Sequence, residues 1–156
     1  MEGVQRVLSY FVVIPVVLVM IIAVYTDLRS RLIYDWLTLP GIAYFLIYHA
    51  FAHPDQWTTY GLGVILIGGI TLLMAVVSNG QLGGGDIKLF TLVGAAVGWE
   101  AGLYILCFTY LLAGLIVIPI WLAAKVSGKQ AAGREIPLAP FIAGGTSLLL
   151  MAVAFI

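Results

Sequence analysis

Two aspartates, Asp27 and Asp86, are the residues of this sequence best suited to chemistry. Asp27 ends the first apolar segment, and Asp86 follows the run Gly83-Gly84-Gly85 between two later apolar segments. An aspartate at the edge of hydrocarbon is costly and usually marks a functional site. Two carboxylates that share one proton can hydrolyse an amide, because the ionised one takes a proton from water while the protonated one donates a hydrogen bond to the carbonyl. We therefore predict that these two aspartates form a catalytic pair.

Asp35 is the reserve candidate for the first catalytic role. It lies shortly after Asp27, at the start of the second apolar segment. The more common role of an acidic residue in this place is to cap a helix, whose N-terminus favours negative charge. A competing hypothesis for Asp27 and Asp86 makes them helix-end residues that pair with basic side chains such as Arg29 or Lys88.

A glycine-rich stretch, residues 79–85, precedes Asp86. Each glycine costs about 1 kcal/mol in a helix, so we predict a loop or a bent approach to the next segment. Glycines there permit another backbone to come close. The residues expected to form this active-site loop are Gly83, Gly84 and Gly85. Lys88 and Arg31 are candidates for positioning a substrate, and the alternative for them is a purely interfacial role.

The composition indicates an integral membrane protein. Of the 156 residues, 63% are hydrophobic and 9% are charged, and the mean hydropathy is +1.13. Such a chain is too apolar to cover a soluble core with polar surface. A net charge of zero with seven scattered Lys and Arg residues argues against nucleic-acid binding. The single Cys107 can form neither an internal disulfide nor a cysteine zinc site, and we expect no metal and no cofactor.

Six apolar segments can be compared with the ~20 residues that a helix needs to cross a membrane. They cover approximately residues 7–26, 36–52, 58–78, 87–99, 101–124 and 137–156. The fourth is short by this measure and needs helical structure beyond its limits or a locally thin bilayer to span. We therefore predict an all-α fold, a polytopic membrane helix bundle with about six transmembrane helices.

The basic residues predict the orientation of the bundle. If all six segments cross, one side holds every Lys and Arg except Arg6, namely Arg29, Arg31, Lys88, Lys125, Lys129 and Arg134. The positive-inside rule makes that side cytoplasmic and places both termini outside. Asp27 and Asp86 then both lie at cytoplasmic helix ends, where folding can bring their carboxylates together.

These motifs resemble those of a known family. Residues Gly83 to Asp86 fit the Gly-x-Gly-Asp signature of intramembrane aspartyl proteases, and the segment from Asp27 to Pro40 resembles the other aspartate segment of type IV prepilin peptidases. The later stretch from Glu135 to Phe141 resembles the proline-containing stretch that leads into that family's final helix. The family often has a proline where this chain has Tyr34, so the loop geometry there departs from the pattern.

The resemblance implies a peptidase-only form, similar to short prepilin or preflagellin peptidases. Residues 1–156 would form a single membrane-embedded peptidase domain, without the methyltransferase region and paired cysteines of bifunctional members. The implied substrate is a prepilin, pseudopilin or preflagellin with a short basic leader. The cut would lie at the cytoplasmic interface of the cell membrane, next to Asp27 and Asp86.

Two rival functions remain open at this point. In a small proton- or cation-coupled transporter, Asp27 and Asp86 would carry protons or bind an ion. In a non-catalytic pilus assembly factor, the fold would bind prepilins and leave them intact. The presence of both carboxylates together with the glycine loop favours the peptidase.

Overall fold

The computed structural model describes the backbone of residues 2–80, 82–126 and 137–155, and the side chains of residues 10–80, 82–119, 122 and 137–151. Every regular element in these ranges is helical, which confirms the all-α class. The elements are α1 (Glu2–Ser30), α2 (Asp35–Ala52), a short 3-10 helix (Pro54–Gln56), α3 (Trp57–Val77), α4 (Gly84–Val126) and α5 (Ala139–Phe155).

The long helix α4 is broken at Gly98, which has φ 85° and ψ 175°. Its two arms, residues 84–97 and 99–126, fold back on each other. The rings of Phe90 and Tyr110 stack with centroids 6.1 Å apart, whereas a straight helix would separate residues that far apart in sequence by about 30 Å. The arms correspond to the fourth and fifth predicted segments. The predicted boundary at residue 100 was wrong by two residues, because the left-handed conformation of the break favours glycine.

Three helical stretches in the described part of the chain are long and apolar enough to cross a membrane. They are Tyr10–Ser30, Pro54–Val77 and Gly84–Pro119, the last of which contains the break at Gly98, and Ala139–Met151 is a shorter apolar helix. These lengths and compositions are those of a membrane protein.

The first arm of α4 lies at the centre of the bundle. Its residues Leu89, Phe90, Leu92 and Val93 are completely buried. Because protein surrounds this arm, it does not need the length of a helix that faces lipid. This explains why the fourth predicted segment is short. It crosses α3 where Gly63 and Gly94 meet, since a Cβ atom added to Gly63 would overlap the carbonyl oxygen of Gly94.

The helix boundaries at the two aspartates also differ from the predictions. α1 continues to Ser30, so Asp27 lies in its last turn and not at the end of the segment. α4 begins at Gly84, so Gly84 and Gly85 belong to its first turn, and of the three glycines predicted to form the active-site loop only Gly83 lies outside the helix. The carbonyl of Gly83 accepts hydrogen bonds from the backbone N–H groups of Asp86 and Ile87, at 3.1 Å and 3.3 Å, which closes the turn.

Candidate active site

Asp27 is a buried carboxylate that joins α1 to α5. Its side chain is 6% exposed, and Oδ2 accepts a hydrogen bond of 3.0 Å from the backbone N–H of Ala139. Ala139 is the first residue of α5, where N–H groups have no partner within the helix. The hydrogen bond therefore satisfies a helix end and fixes the orientation of the carboxylate. The sequence analysis missed Ala139, although Pro137 and Pro140 on either side signalled a helix start.

Asp86 lies in the first turn of α4, with its two carboxyl oxygens in different surroundings. Oδ2 faces the backbone of Gly83, where an added Cβ would lie 3.1 Å away. Oδ1 is buried and has no hydrogen-bond partner among the described residues. Buried polar atoms in native proteins nearly always have a partner, and exceptions often belong to reactive groups.

The two predicted aspartates come together in space. Asp86 interacts electrostatically with Asp27, although 59 positions separate them in the sequence. The close approach depends on the loop between α1 and α2, because Ile33 in that loop packs directly against Gly85. A Cβ added to Gly85 would lie 2.8 Å from the Cβ of Ile33. The glycine before Asp86 thus lets α4 approach the end of α1.

Asp35 is placed differently from the other two aspartates. It is the first residue of α2, and its Oδ1 forms an ion pair of 2.6 Å with Nζ of Lys88. The two side chains are 60% and 39% exposed. Within the described ranges, no hydrogen bond links Asp35 to Asp27 or Asp86. Asp35 therefore ties the start of α2 to the first turns of α4.

The basic residues near the site do not neutralise the aspartate pair. Lys88 is held by Asp35, and Nη1 of Arg29 donates a hydrogen bond of 2.6 Å to the hydroxyl of Tyr25. Arg31 is exposed and has a left-handed backbone, φ 53°, directly after α1. Among the residues that the structure describes, neither Asp27 nor Asp86 forms an ion pair, which counts against the helix-end hypothesis. Lys129 and Arg134 lie outside the described residues, as do the side chains of Arg6 and Lys125.

A cavity of about 410 Å³ adjoins Asp86. It lies between α3, the arms of α4 and the start of α5, and most of its lining is apolar. The lining residues are Met74, Ser78, Leu82, Asp86, Tyr110, Ala113, Val117, Leu138 and Phe141. The sequence analysis gave Tyr110 no role, because a tyrosine 24 positions after Asp86 in an apolar helix carries no local signal.

The arrangement suits hydrolysis by paired carboxylates. Two acidic groups that interact, one buried and one half-buried, can share one proton. The half-buried Asp86 borders a mostly apolar cavity of the size that ligand sites have. Within the described ranges, no group of three or more His, Cys, Asp or Glu side chains is placed to hold a metal ion.

Comparison with known proteins identifies the relatives of this chain. Residues 14–118 match the model of the type IV leader peptidase family. The chain is 28% identical over 141 residues to the prepilin leader peptidase/N-methyltransferase of Bacillus subtilis strain 168, covering 90% of this chain and 55% of the relative. It is 31% identical over 126 residues to the protein of the same name from Vibrio cholerae serotype O1, covering 74% and 46%. The chain thus spans about half the length of these curated relatives. No solved structure matches it.

Proposed function

Because the chain belongs to the type IV leader peptidase family, we propose that it is a membrane aspartyl endopeptidase of the Gly-x-Gly-Asp type. It cleaves the short basic leader of a prepilin-like protein, a prepilin, pseudopilin or preflagellin, at the cytoplasmic interface of the cell membrane. Asp27 and Asp86 form the catalytic pair. The observation that carries this proposal is the interaction of the buried Asp27 carboxylate with the half-buried Asp86 carboxylate beside an apolar cavity.

The chemistry follows from one proton shared between the two carboxyl groups. The ionised group removes a proton from water, whose oxygen forms a bond to the scissile carbonyl carbon, while the protonated group gives its proton to the carbonyl oxygen. The resulting tetrahedral diol collapses as one carboxyl proton passes to the amide nitrogen, the ionised carboxylate takes a proton from a diol hydroxyl, and the carbon–nitrogen bond breaks. Because the pair titrates as a unit, either aspartate can begin as the base.

The surroundings of the pair suit a substrate that is polar on one side of the cut and apolar on the other. Both aspartates lie near helix ends, while the cavity beside Asp86 is lined by apolar side chains such as Met74 and Phe141. The apolar segment of the substrate occupies the cavity, and the basic leader stays in water. Arg31 is exposed and remains the better candidate for positioning an anionic group, since Lys88 is already paired.

We propose that α1, α2, α3, the two arms of α4 and α5 each cross the membrane, with both termini outside. Residues 1–156 then act as one membrane-embedded peptidase domain. Arg29, Arg31 and Lys88 lie at the same end of the bundle as the aspartate pair. The positive-inside rule assigns that end to the cytoplasm.

The proposal is tested by cleavage of a leader peptide in detergent micelles. The substrate carries a short basic leader and an apolar segment. The proteins are the wild type and the variants Asp27→Asn, Asp86→Asn and Asp35→Asn, each checked for wild-type thermal stability. We expect the first two variants to lose at least about 10³-fold in kcat, since residues of a catalytic unit fail together. The matched variant Asp35→Asn stays active.

Two results would contradict the assignment. An active Asp27→Asn variant together with an inactive Asp35→Asn variant would transfer the first catalytic role to Asp35. Failure of the folded wild type to cut a broad panel of leader peptides would reject the peptidase. Proton flux through the wild type in liposomes, abolished by either Asp27→Asn or Asp86→Asn, would then indicate a transporter, and binding of intact prepilin without flux would indicate an assembly factor.

A further inference from the structure

Tyr110 is one of three residues with polar side-chain groups that line the cavity beside Asp86, together with Ser78 and Asp86 itself. Tyr110 lies on the second arm of α4, lines this cavity and interacts electrostatically with the Asp86 carboxylate. Its hydroxyl forms no hydrogen bond with the described residues, although its side chain is only partly exposed. A hydroxyl that no described protein group engages is available to a ligand, as donor or acceptor.

The ring of Tyr110 is held in place by its neighbour Phe90. The two rings stack with an interplanar angle of 10°, and Phe90 is completely buried in the centre of the bundle. Phe90 follows Asp86 by one helical turn on the first arm of α4. The same arm therefore positions both the carboxylate and the aromatic ring that orients the hydroxyl.

We propose that Tyr110 donates a hydrogen bond from its hydroxyl to the oxygen of the scissile carbonyl, as a catalytic residue of the aspartate-pair reaction. This assignment rests on the proposed peptidase function. As water adds to the carbonyl carbon, the C=O π electrons move onto the oxygen, and the Tyr110 hydroxyl stabilises the charge that develops there. Tyr110 keeps its proton throughout, since the proton of the diol comes from the aspartate pair.

The surroundings make such a donor effective. The cavity is lined mostly by apolar side chains, and a preorganised donor in a desolvated site stabilises developing charge far more than the same donor in water. Tyr110 and Asp86 line the same cavity, so the carbonyl group of one bound substrate can contact both side chains. No hydrogen bond joins the hydroxyl to Oδ1 of Asp86 in the structure, which is why we assign the hydroxyl to the substrate.

The test compares Tyr110→Phe with Tyr104→Phe in the cleavage assay. Both changes remove only a hydroxyl from the second arm of α4, but Tyr104 is 62% exposed on the outer surface of the bundle. Removal of one such donor costs on the order of 10²–10³ in kcat in well-studied enzymes. We expect Tyr110→Phe to lower kcat at least about 10-fold with KM within about twofold of the wild type, and Tyr104→Phe to change neither.

A binding measurement separates catalysis from packing. In the Asp86→Asn background, which keeps the substrate intact, Tyr110→Phe should leave the affinity for the leader peptide unchanged, whereas a role in shaping the cavity would weaken it. If Tyr110→Phe does not accumulate in the membrane, Tyr110→Gln and Tyr110→Met provide the comparison, because both lack the ring and only glutamine keeps a donor. The glutamine variant should then be the more active of the two by several-fold.

Three outcomes would overturn the assignment. They are wild-type kcat in Tyr110→Phe, a loss of activity that appears only in KM, and equal activities of Tyr110→Gln and Tyr110→Met. If the wild type cuts the peptide in these experiments, the proposed function stands and only the role of Tyr110 is rejected. If the folded wild type cuts nothing, the proposed function fails, and this assignment fails with it.

Discussion

Ile33 lies directly against Gly85, the residue that precedes Asp86. An added Cβ at Gly85 would come within 2.8 Å of the Cβ of Ile33, a distance that real Cβ atoms essentially never show. Ile33 is 9% exposed and belongs to the loop that follows Asp27. This contact therefore sets how close the two aspartate-bearing segments come to each other.

Gly85→Ala is expected to push the start of α4 away from the loop between α1 and α2. The contact atom is Cβ of Ile33, which belongs to a stiff β-branched side chain and cannot swing aside. We expect a fall in kcat of at least about 10-fold, because misplacing a reacting group by about 1 Å can cost 10²-fold. Leader-peptide cleavage measures the effect.

Gly84→Ala is the matched control for Gly85→Ala. It lies in the same helical turn, but among the described residues no atom outside its own local backbone lies within 4 Å of an added Cβ. We expect activity within about threefold of the wild type and stability that is unchanged or slightly higher, since alanine is favoured over glycine in helices by about 1 kcal/mol. Equal losses in the two variants would show that glycine flexibility, and not the Ile33 contact, is what matters here.

The ion pair between Lys88 and Asp35 is expected to contribute little to stability. Its side chains are 39% and 60% exposed, and exposed pairs contribute roughly 0.2–1 kcal/mol. A double-mutant cycle with Lys88→Met and Asp35→Asn, followed by unfolding in mixed micelles, should give a coupling energy in that range that shrinks at high salt. Coupling above about 2 kcal/mol, or coupling insensitive to salt, would contradict a solvent-screened pair.

The sequence predicted the parts of this protein that follow from local composition. Apolar segments indicate burial in lipid or in a protein core, so the helices could be predicted from them. The prediction that Asp27 and Asp86 lie at the same end of the bundle came from counting the predicted crossings. The break at Gly98 was misplaced because glycines also occur at positions that only pack closely, such as Gly94. Ala139 and Tyr110 were missed because tertiary packing alone brings them to the aspartates.

His49 is expected to stabilise the opposite end of the bundle from the aspartates. Its side chain is 2% exposed, stacks on Tyr60 at 3.4 Å, and lies 3.0 Å through Nε2 from the carbonyl oxygen of Ala96, so that nitrogen must be the donor. His49→Phe keeps a ring for stacking but leaves the buried carbonyl without this donor. Such a loss costs about 1–3 kcal/mol, measurable as a lower free energy of unfolding in mixed micelles.

His53→Phe is the comparison for His49→Phe. His53 is less buried, and its ring centroid lies 6.3 Å from that of Tyr60. Its Nδ1 lies 3.5 Å from Nδ1 of His49, which is long for a hydrogen bond. We therefore expect its substitution to lower the free energy of unfolding by less than about 1 kcal/mol, a smaller effect than that of His49→Phe. Similar effects of the two substitutions would mean that the hydrogen bond to Ala96 is not what stabilises this end.

Two glycine-to-alanine substitutions in α3, which crosses α4, are expected to have opposite effects on the stability of the protein. A Cβ at Gly63 would overlap the carbonyl oxygen of Gly94. At Gly69 on the same helix, the part of the chain that the structure describes places nothing but local backbone within 4 Å of an added Cβ. Gly63→Ala should destabilise the protein by about 1–3 kcal/mol through overpacking, and Gly69→Ala should be neutral or stabilising by up to about 1 kcal/mol. Because the arm displaced by Gly63→Ala carries Asp86, cleavage should fall together with stability.

A Gly63→Ala protein as stable and active as Gly69→Ala would show that the crossing adapts, and that close backbone packing at Gly63 does not position Asp86.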